Sequence, residues 1–408
     1  MMTASIFQDK HIILGITGSI ASYKAADLAS KLSQAGAKVD VILTQSAEKF
    51  ISSLTFQSVT GRKAFTEDDL WGGQAHVLHV GLGHSADLLV IAPCTANTIA
   101  KLAGGIADNL LTITALAAEC PVLIAPAMDA GMYAHATSQE NVSILVKRGV
   151  HFAGPGEGHM ASGLVGLGRM LEPDELMGHI RKVLGENGVL AGKQVMVTAG
   201  GTREPIDPVR YISNQSSGKQ GYALAQAAID AGGSVTLIST PTALRPPIGA
   251  TCVFVQTAQE MLDAVINNLP GMDALIMAAA VADFRPERSS KDKIKKKDGL
   301  PTLALESTVD ILAAINSEEH SKLRPRILVG FAAESQDLLQ NAKDKLVSKN
   351  LDMIAANDIS ASDAGFSVDN NRVTLLFPNG DKQELPLQSK AEVAEAIIAR
   401  VAEMAGDR

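Results

Sequence analysis

Short apolar runs alternate with amphipathic stretches through the first half of the chain. Residues 12–16 and 39–43 are apolar runs of strand length, and between them the apolar residues from Ala25 to Ala35 recur at helical spacing. This order predicts a strand, a helix and a second, parallel strand. The same alternation predicts further strands at residues 88–92, 122–125 and 150–153, and helices at residues 95–102, 109–118 and 138–147. The first half is therefore expected to form a doubly wound, parallel α/β sheet.

The pattern stops at a polar, glycine-containing stretch and then starts again with a new apolar run at residues 193–198. We therefore place a boundary between one domain at residues 1–190 and a second at residues 191–408. The second domain repeats the strand and helix order of the first. Its predicted strands are residues 193–198, 235–239, 252–255, 274–277, 327–330 and 353–355, with helices at 221–231 and after the Thr257–Glu260 capping box. Apolar runs flank Asn379-Gly380, which predicts a carboxy-terminal β-hairpin with a type I′ turn and hence a mixed sheet.

Composition narrows the class of protein. The chain has 408 residues, 46% hydrophobic and 20% charged, so two or three folded domains are expected and disorder is excluded. The net charge of −8 gives no indication of binding to nucleic acid or to an anionic membrane. Charged residues and prolines interrupt every apolar stretch before it reaches the roughly 20 residues of a spanning helix. Three widely spaced cysteines argue against a disulfide framework or structural zinc and favour a reducing cytoplasm.

The turn after the first predicted strand is a candidate binding element. A glycine turn that begins at Gly15 and includes Gly18 leads from that strand to the first helix, where free backbone N–H groups at the positive end of the helix favour a phosphate. The spacing differs from GxGxxG, and no acidic residue ends the second strand, which disfavours an NAD-dependent oxidoreductase. Four hydroxyl residues favour a mononucleotide phosphate instead: Thr17, Ser19, Thr44 and Ser46. A tight turn without a ligand is the alternative.

Small and polar residues occupy positions 92–98, at the carboxyl end of the third predicted strand. Parallel sheets bind ligands at this end of their strands. A histidine cluster, His76, His79 and His84, precedes this strand. Its spacing offers no cysteine or carboxylate partner for zinc, so solvated loop histidines or a general base are the favoured interpretations. Cys94 and Cys120 are interpreted as small buried residues rather than nucleophiles.

Longer motifs give a specific resemblance. Five motifs of the first half resemble those of the flavin-containing cysteine decarboxylases. They are Gly15-Ile-Thr-Gly-Ser-Ile-Ala, His79 before Ala86-Asp87-Leu, Ala92-Pro-Cys-Thr-Ala-Asn, Pro126-Ala-Met-Asp-Ala-Gly-Met132 and Ala161-Ser-Gly-Leu-Val-Gly-Leu-Gly-Arg-Met170. Two motifs of the second half resemble those of the phosphopantothenate–cysteine ligases. They are Thr198-Ala-Gly-Gly-Thr-Arg-Glu-Pro-Ile-Asp-Pro-Val-Arg-Tyr-Ile-Ser-Asn-Gln-Ser-Ser-Gly-Lys219 and Lys293-Ile-Lys-Lys296. Together the motifs resemble the bifunctional coenzyme A biosynthesis family along nearly the whole chain.

For the first domain, the resemblance implies a flavodoxin-like fold that binds FMN and decarboxylates phosphopantothenoylcysteine to 4′-phosphopantetheine. In that family, oxidation of the thiol to a thioaldehyde provides the electron sink for decarboxylation. His79 falls on the family's catalytic histidine, the expected base in the oxidation. The implied FMN-binding residues are Gly18, Ser19, Ile20, Thr44, Ser46, Cys94, Thr95, Ala96 and Asn97.

Two positions depart from the commonest family pattern. Asp129 stands where the family usually has an asparagine amide, and an ionised carboxylate would repel the substrate carboxylate unless it is protonated or makes another contact. Ser162 stands where a cysteine often donates the final proton, and a hydroxyl is a much weaker acid than a thiol. We expect Ser162 to orient water or substrate, with His159 and Glu157 as candidate proton donors.

For the second domain, the resemblance implies that CTP activates the carboxylate of 4′-phosphopantothenate and that cysteine then displaces CMP from the acyl-cytidylate. Arg210 and Asn214 match residues that handle this intermediate. Lys293 lies in a basic run that composition alone assigns to a solvated loop and that the resemblance implies closes over the triphosphate. The implied CTP-binding residues are Met277, Ala278, Ala279, Asp283, Lys293, Val309, Asp310, Ile311, Leu312, Phe331, Lys345 and Lys349. Mg²⁺ is expected with CTP, without an assigned ligand.

The resemblance also implies an assembly. Decarboxylase domains of the family form trimers that complete one another's flavin sites, and ligase domains form dimers, so a homo-oligomer, a dodecamer, is implied. The competing hypothesis is a flavin-binding regulatory or scaffold protein in which the changes at Asp129 and Ser162 have disabled the decarboxylase. The small-molecule substrates would then serve the ligase domain alone.

Overall fold

The computed structural model describes residues 6–71, 75–159, 163, 165–295, 302–334, 337–358 and 369–406. The chain forms two compact units, which divide between Gly185 and Glu186. Each unit has its own sheet with apolar cores on both faces. In these described ranges, no helix is both long and apolar enough to cross a lipid bilayer.

The amino-terminal unit contains a six-stranded parallel sheet. Its strands are β1 (His11–Ile16), β2 (Lys38–Leu43), β3 (Ala64–Phe65), β4 (Leu88–Cys94), β5 (Val122–Pro126) and β6 (His151–Phe152). They lie in the order β3-β2-β1-β4-β5-β6. Apart from the short edge strand β3, this is the flavodoxin-like order that the resemblance implies. All seven residues of the central strand β4 are buried, which explains why its sequence is a continuous apolar run.

Helices cover both faces of this sheet. They are α1 (Ser22–Gln34), α2 (Ser53–Thr60), α3 (Ala75–Ser85), α4 (Ala96–Gly104), α5 (Leu110–Ala117), α6 (Ala130–Ala134), α7 (Ala136–Lys147) and α8 (Pro173–Gly185), with a hairpin of β7 (Gly156–His159) and β8 (Val165–Arg169) before α8. The predicted α1 face is confirmed, since Leu28 and Leu32 are fully buried against the sheet. Burying each leucine contributes about 1.5–3 kcal/mol.

The histidine cluster lies on α3, so its interpretation as a loop is wrong. Leu78 and Leu82, one helical turn apart, pack into the core beneath the sheet and give the helix its buried face. Two glycines weaken the helical signal in the sequence. One of them is required by packing, because a Cβ on Gly83 would lie 2.9 Å from the backbone of Ala117 in α5.

A charged network lies at the amino-terminal edge of the first sheet. His11 Nε2 lies 2.7 Å from Asp40 Oδ2 on β2, and Nδ1 lies 2.9 Å from the carbonyl of Ser85. Arg62 donates to both carboxylate oxygens of Asp40, at 2.7 and 2.9 Å. The hydrogen bond to Asp40 raises the pKa of His11 above its ordinary value. Burial opposes ionisation of Asp40, but His11 and Arg62 outweigh it and lower the pKa of the carboxyl.

We expect His11→Asn to destabilise the β1–β2 ladder more at pH 6 than at pH 9. Because folding raises the pKa of His11, its contribution is complete below the unfolded value of about 6.5 and disappears as the pH rises through the folded value. A hydrogen bond to a charged group contributes on the order of 1 kcal/mol or more. Hydrogen exchange of β1 and β2 amides at the two pH values measures the difference; an equal loss at both would contradict the prediction. His84→Asn, which alters an exposed 3.6 Å pair with Glu119, is the control.

The carboxy-terminal unit contains a mixed eight-stranded sheet. The strands of the unit are β9 (Gln194–Ala199), β10 (Arg203–Pro205), β11 (Tyr211–Ser213), β12 (Ser234–Ser239), β13 (Thr251–Phe254), β14 (Ala274–Met277), β15 (Phe284–Pro286), β16 (Leu305–Ser307), β17 (Ile327–Glu334), β18 (Met353–Asp358), β19 (Asn370–Asn371), β20 (Val373–Leu376), β21 (Lys382–Glu384) and β22 (Gln388–Ser389). The main sheet has the order β13-β12-β9-β14-β17-β18-β20-β21. It is parallel through β18 and antiparallel beyond it. A Rossmann-like sheet extended by a hairpin is thus confirmed.

Its helices are α9 (Lys219–Asp230), α10 (Ala258–Asn268), α11 (Ile311–Ile315), α12 (Leu338–Ser348) and α13 (Lys390–Gly406). α9 and α13 contribute to the core on one face, and α10, α11 and α12 to the core on the other. Thr257 caps α10 as predicted, accepting the N–H of Glu260 at 3.1 Å. The Glu260 carboxylate accepts from Gln256 N rather than from the cap residue, so the reciprocal half of the box is displaced by one residue.

The carboxy-terminal hairpin has a different turn from the predicted type I′. That turn needs two residues with positive φ, whereas of Asn379 and Gly380 only the glycine has one, at 89°. Gly380 N donates to Phe377 O at 3.0 Å, and Phe377 N donates to Asp381 O at 3.1 Å. Pro378, whose ring fixes a negative φ, favours this longer loop with a left-handed glycine at its end.

Candidate active sites

A cavity of about 1170 Å³ opens at the carboxyl edge of the first sheet. The loops after β1, β2, β4 and β5 form its walls, because parallel strands bring these loops to one edge. Every residue that the resemblance assigns to FMN lines this cavity except Cys94: Gly18, Ser19, Ile20, Thr44, Ser46, Thr95, Ala96 and Asn97. Asp129 and His159 also line it. Loops distant in sequence are thus brought together in one site.

Thr17 fastens two of these loops to each other. Its hydroxyl donates to Pro93 O at 2.7 Å and accepts from Thr95 N at 3.0 Å. The side chain is buried, so this hydroxyl stabilises the loops rather than remaining available for a phosphate. Ser19 and Ile20 lie just before Ala21, the residue that caps α1, and the positive end of that helix therefore adjoins the cavity.

Gly18 allows the first two loops to approach closely. A Cβ on Gly18 would lie 2.5 Å from Ser46 Cβ and 3.3 Å from the Ser46 backbone carbon. Any larger residue would therefore move the loop after β1 or the loop after β2. Hydroxyl groups, a backbone cradle that a Cβ would fill, and a volume suited to a cofactor fit a flavin mononucleotide.

We therefore expect Gly18→Ala to lower the flavin content of the purified protein at least severalfold. The added methyl has no space against Ser46, and strain of about 1–3 kcal/mol at the cradle weakens binding accordingly. The ratio of flavin to protein absorbance measures the effect. Gly81→Ala is the matched control, because a Cβ at that helical position meets nothing within 4 Å. Full flavin occupancy in the Gly18 variant would contradict the assignment of this loop.

Cys94 lies in the core beneath the sheet rather than on the cavity wall. It is fully buried, which confirms its interpretation as a small core residue, and burial raises the pKa of its thiol well above the usual range. Cys120 is partly buried, and burial raises the pKa of its thiol as well. Neither environment favours a thiolate nucleophile.

Asp129 caps a helix at the mouth of the cavity. Its Oδ1 accepts the N–H of Gly131 at 2.9 Å at the beginning of α6. The preceding residue, Met128, donates its N–H to Gly168 O on β8 at 3.0 Å and so ties this loop to the β7–β8 hairpin. The hairpin places His159 on the cavity wall and leaves Glu157 exposed outside it. Ser162 lies outside the described residues.

His79 occupies a different place from the other decarboxylase residues. It lies on α3 and is not among the described residues that line the cavity. Its side chain is partly buried, and Nδ1 has no hydrogen-bond partner among the described residues. The structure therefore does not bring His79 to the cavity of its own domain.

The sequence interpretation missed several cavity residues. Lys24 is the clearest, since it is buried and donates to Met170 O at 2.9 Å and to Glu172 Oε1 at 2.8 Å. A lysine beside the apolar face of α1 was the available signal. Others are Tyr23, Phe50, Lys101, Asp108, Asn109 and Arg169.

In the carboxy-terminal unit, hydrogen bonds join the segment that follows β14, which carries several predicted nucleotide residues, to β9 and to the loop after β11. Thr198 joins β9 to β14, because its Oγ1 accepts from Ala279 N at 3.1 Å and lies 3.8 Å from Met277 Sδ. Asn214 Nδ2 donates to Val281 O at 3.1 Å, which places the amide beside the segment that carries Asp283. Ala280 N also donates to Gly200 O at 2.8 Å, which holds this segment against the glycine-rich loop after β9.

Two lysines at the end of α12 contact other predicted nucleotide residues. Lys345 Nζ donates to Phe331 O on β17 at 2.9 Å, and Lys349 Nζ pairs with Asp310 Oδ2 at 2.6 Å. Asp310 also caps α11, accepting from Ala313 N at 2.9 Å. Partial burial opposes ionisation of Asp310, but Lys349 and the cap outweigh it and lower the pKa of its carboxyl. Val309 and Leu312 flank this cap, and both contribute to the core.

Arg210 and Lys293 lie on two loops that touch. Arg210 Nη2 donates to Ile294 O at 2.9 Å, directly after Lys293. The Lys293 side chain is exposed. Three members of the basic run, Lys291, Lys293 and Lys295, are among the described residues; the following Lys296 and Lys297 lie outside them.

Comparison with known proteins gives the class of the two units. Residues 5–185 match the family described as flavoprotein, and residues 190–404 match the family described as DNA/pantothenate metabolism flavoprotein C-terminal domain. The chain thus combines a flavoprotein-family unit with the second unit of a pantothenate-metabolism flavoprotein.

Similarity over the full length is more specific. The coenzyme A biosynthesis bifunctional protein CoaBC of Bacillus subtilis is 46% identical, over 97% of this chain and 98% of that protein. The proteins of the same name from Vibrio cholerae and Mycobacterium tuberculosis are 45% and 42% identical, over 95% of this chain each. The chain belongs to this family of bifunctional coenzyme A biosynthesis proteins.

Proposed function

We propose that this protein makes 4′-phosphopantetheine in two steps, CTP-dependent ligation followed by FMN-dependent decarboxylation. The observation that carries the decarboxylase assignment is the cavity at the carboxyl edge of the first sheet, which all but one of the FMN residues implied by resemblance line. Domains at residues 1–190 and 191–408 would perform the second and the first step, respectively. A cytoplasmic location belongs to the same proposal.

In the ligase step, a carboxylate oxygen of 4′-phosphopantothenate attacks the α-phosphorus of CTP and pyrophosphate leaves. Arg210 and Lys293 offer positive charge to the phosphates, and Asn214 offers an amide for the acyl phosphate of the intermediate. The cysteine amine then attacks the acyl carbon, loses a proton and displaces CMP. Mg²⁺ would neutralise the triphosphate when bound; its ligands are unassigned.

In the decarboxylase step, bound FMN supplies the oxidation of the thiol to a thioaldehyde and later returns the two electrons. The residues of this chain bind the cofactor and orient the substrate for that chemistry. The loops at Gly18 and Ser46 cradle the phosphate, and His79 takes the thiol proton. Asp129 faces the cavity while holding the α6 amide of Gly131, a contact that fixes its direction. His159 on the cavity wall is the candidate donor for the final proton.

The place of His79 supports an oligomer. Because His79 lies on α3 away from the lining residues of its own cavity, a second copy of the chain is needed to bring an equivalent histidine to each flavin. This agrees with the trimer implied by resemblance, and dimeric ligase domains would extend it to a dodecamer. Sedimentation of the purified protein tests this, and a stable monomer with decarboxylase activity would contradict it.

Separate assays of the two steps distinguish the enzyme from a flavin-binding scaffold with a disabled decarboxylase. Supplied with phosphopantothenoylcysteine, the purified protein should release carbon dioxide without CTP. Supplied with 4′-phosphopantothenate, cysteine and Mg²⁺, it should release pyrophosphate from CTP faster than from ATP. Retained flavin with no carbon dioxide release would favour the scaffold, and equal use of ATP would contradict the nucleotide assignment.

A further inference from the structure

A buried carboxylate joins two loops of the ligase unit. Asp207 lies between β10 and β11, and its side chain is fully buried. Its Oδ1 accepts from Val209 N and Arg210 N, both at 2.9 Å, and these bonds shape the turn. Its Oδ2 accepts from Arg210 Nε at 2.9 Å, from Arg210 Nη2, and from Ile294 N at 3.2 Å. One oxygen therefore forms the turn, and the other holds a guanidinium and a second loop.

Two more bonds connect the same loops. Arg210 Nη2 donates to Ile294 O at 2.9 Å, and Ser290 N donates to Ile206 O at 2.9 Å. The anchored residue, Ile294, lies between two exposed lysines, Lys293 and Lys295. Asp207 thus fixes the Arg210 side chain and the start of the basic run in one arrangement.

We propose that Asp207 is a positioning residue of the ligase, which sets the direction of Arg210 and the place of Lys293 without contacting a substrate. This inference rests on the proposed ligase function. Because the carboxylate is fully buried, it acts through these two groups. Hydrogen bonds from Arg210 hold the pKa of the Asp207 carboxyl well below its usual range, so Asp207 stays charged wherever the enzyme works. Fixed charges need no reorganisation when pyrophosphate leaves.

Asp207→Asn separates the two roles of the carboxylate. The amide oxygen of asparagine can still accept the two backbone N–H groups of the turn. The amide nitrogen would face Arg210 and Ile294 N, which are all donors, so the contact that holds the second loop is lost while the turn is kept. A closely matched control is Asp352→Asn, because Asp352 Oδ2 likewise accepts from an arginine, Arg324, and from a backbone N–H, Leu328 N, both at 2.9 Å. That pair lies where β17 and β18 begin, at the opposite end of the strands.

The test uses the full-length holoenzyme and both variants. Pyrophosphate release with 4′-phosphopantothenate, cysteine, CTP and Mg²⁺ gives kcat and KM, and timed trypsin digestion with mass spectrometry gives cleavage rates after Lys293 and Lys295. For Asp207→Asn, we expect kcat to fall about tenfold or more. Cleavage at the two lysines should become about fivefold faster or more. For Asp352→Asn, we expect wild-type kcat and wild-type cleavage at these lysines, although its denaturation midpoint falls.

Unchanged cleavage in Asp207→Asn would overturn the inference, whatever the activity. An equal loss of kcat in both variants would also overturn it, since general destabilisation would then explain the effect. Wild-type protein that releases no pyrophosphate would overturn the proposed ligase function instead, and the cleavage comparison would still decide whether Asp207 holds the segment.

Discussion

His79→Asn should reduce carbon dioxide release from phosphopantothenoylcysteine about 100-fold or more, while ligation of cysteine to 4′-phosphopantothenate continues at the wild-type rate. A positioned general base typically contributes a factor of about 10²–10⁴, and asparagine keeps a polar, planar side chain while removing the basic nitrogen. Because the substitution alters none of the residues assigned to FMN, the flavin content should stay unchanged. The substitution therefore separates proton transfer from cofactor binding.

The matched control for this experiment is His84→Asn on the same helix. His84 is half exposed and lies 3.6 Å from Glu119, so its replacement perturbs α3 without altering the assigned base. Carbon dioxide release, flavin absorbance and pyrophosphate release are measured on all three proteins. Full activity of the His79 variant, or an equal loss in the His84 variant, would remove His79 from the reaction.

Asn214→Asp should block amide formation in the ligase about 100-fold or more and leave decarboxylation unchanged. In the wild type, Asn214 Nδ2 donates to Val281 O at 3.1 Å. A carboxylate there would face a carbonyl oxygen and the phosphates of the intermediate, and charge repulsion adds to the lost hydrogen bond. If activation survives better than amide formation, acyl-cytidylate should accumulate, which mass spectrometry detects.

Asn268→Asp provides the control for this second experiment. Asn268 Nδ2 also donates to a carbonyl oxygen, that of Ala264 at 2.8 Å, but it lies at the end of α10. The control should ligate normally. Normal ligation by the Asn214 variant would refute the role assigned to this amide.

The architecture was predictable because hydrophobic periodicity determines it. The predicted strands of both sheets are present, since buried parallel strands must be apolar on both faces and their runs are easily recognised. α3 was missed because Gly81 and Gly83 dilute its pattern, although only packing against α5 explains the second glycine. The turn at Asn379 was assigned to the wrong type because Pro378 fixes the backbone one residue earlier.

Much of the flavin cavity was predictable from motifs at strand ends, because those ends meet at one edge. Arg169 was not, since it reaches the cavity from a hairpin whose position depends on tertiary packing, and the signal for Lys24 was a single lysine beside the apolar face of α1. The contacts of Asp207 were likewise invisible, because Ile294 is 87 residues away in the chain. Long-range hydrogen bonds leave no periodic signal in a sequence.

The central claim is that one chain performs both steps in succession. Mass spectrometry of the purified protein with 4′-phosphopantothenate, cysteine, CTP and Mg²⁺ tests it most directly, by following both products over time. The account predicts that phosphopantothenoylcysteine appears first and is converted to 4′-phosphopantetheine. A reaction that stops at phosphopantothenoylcysteine would contradict it. That result would show that a decarboxylase domain with Asp129 and Ser162 at these two positions does not complete the second step.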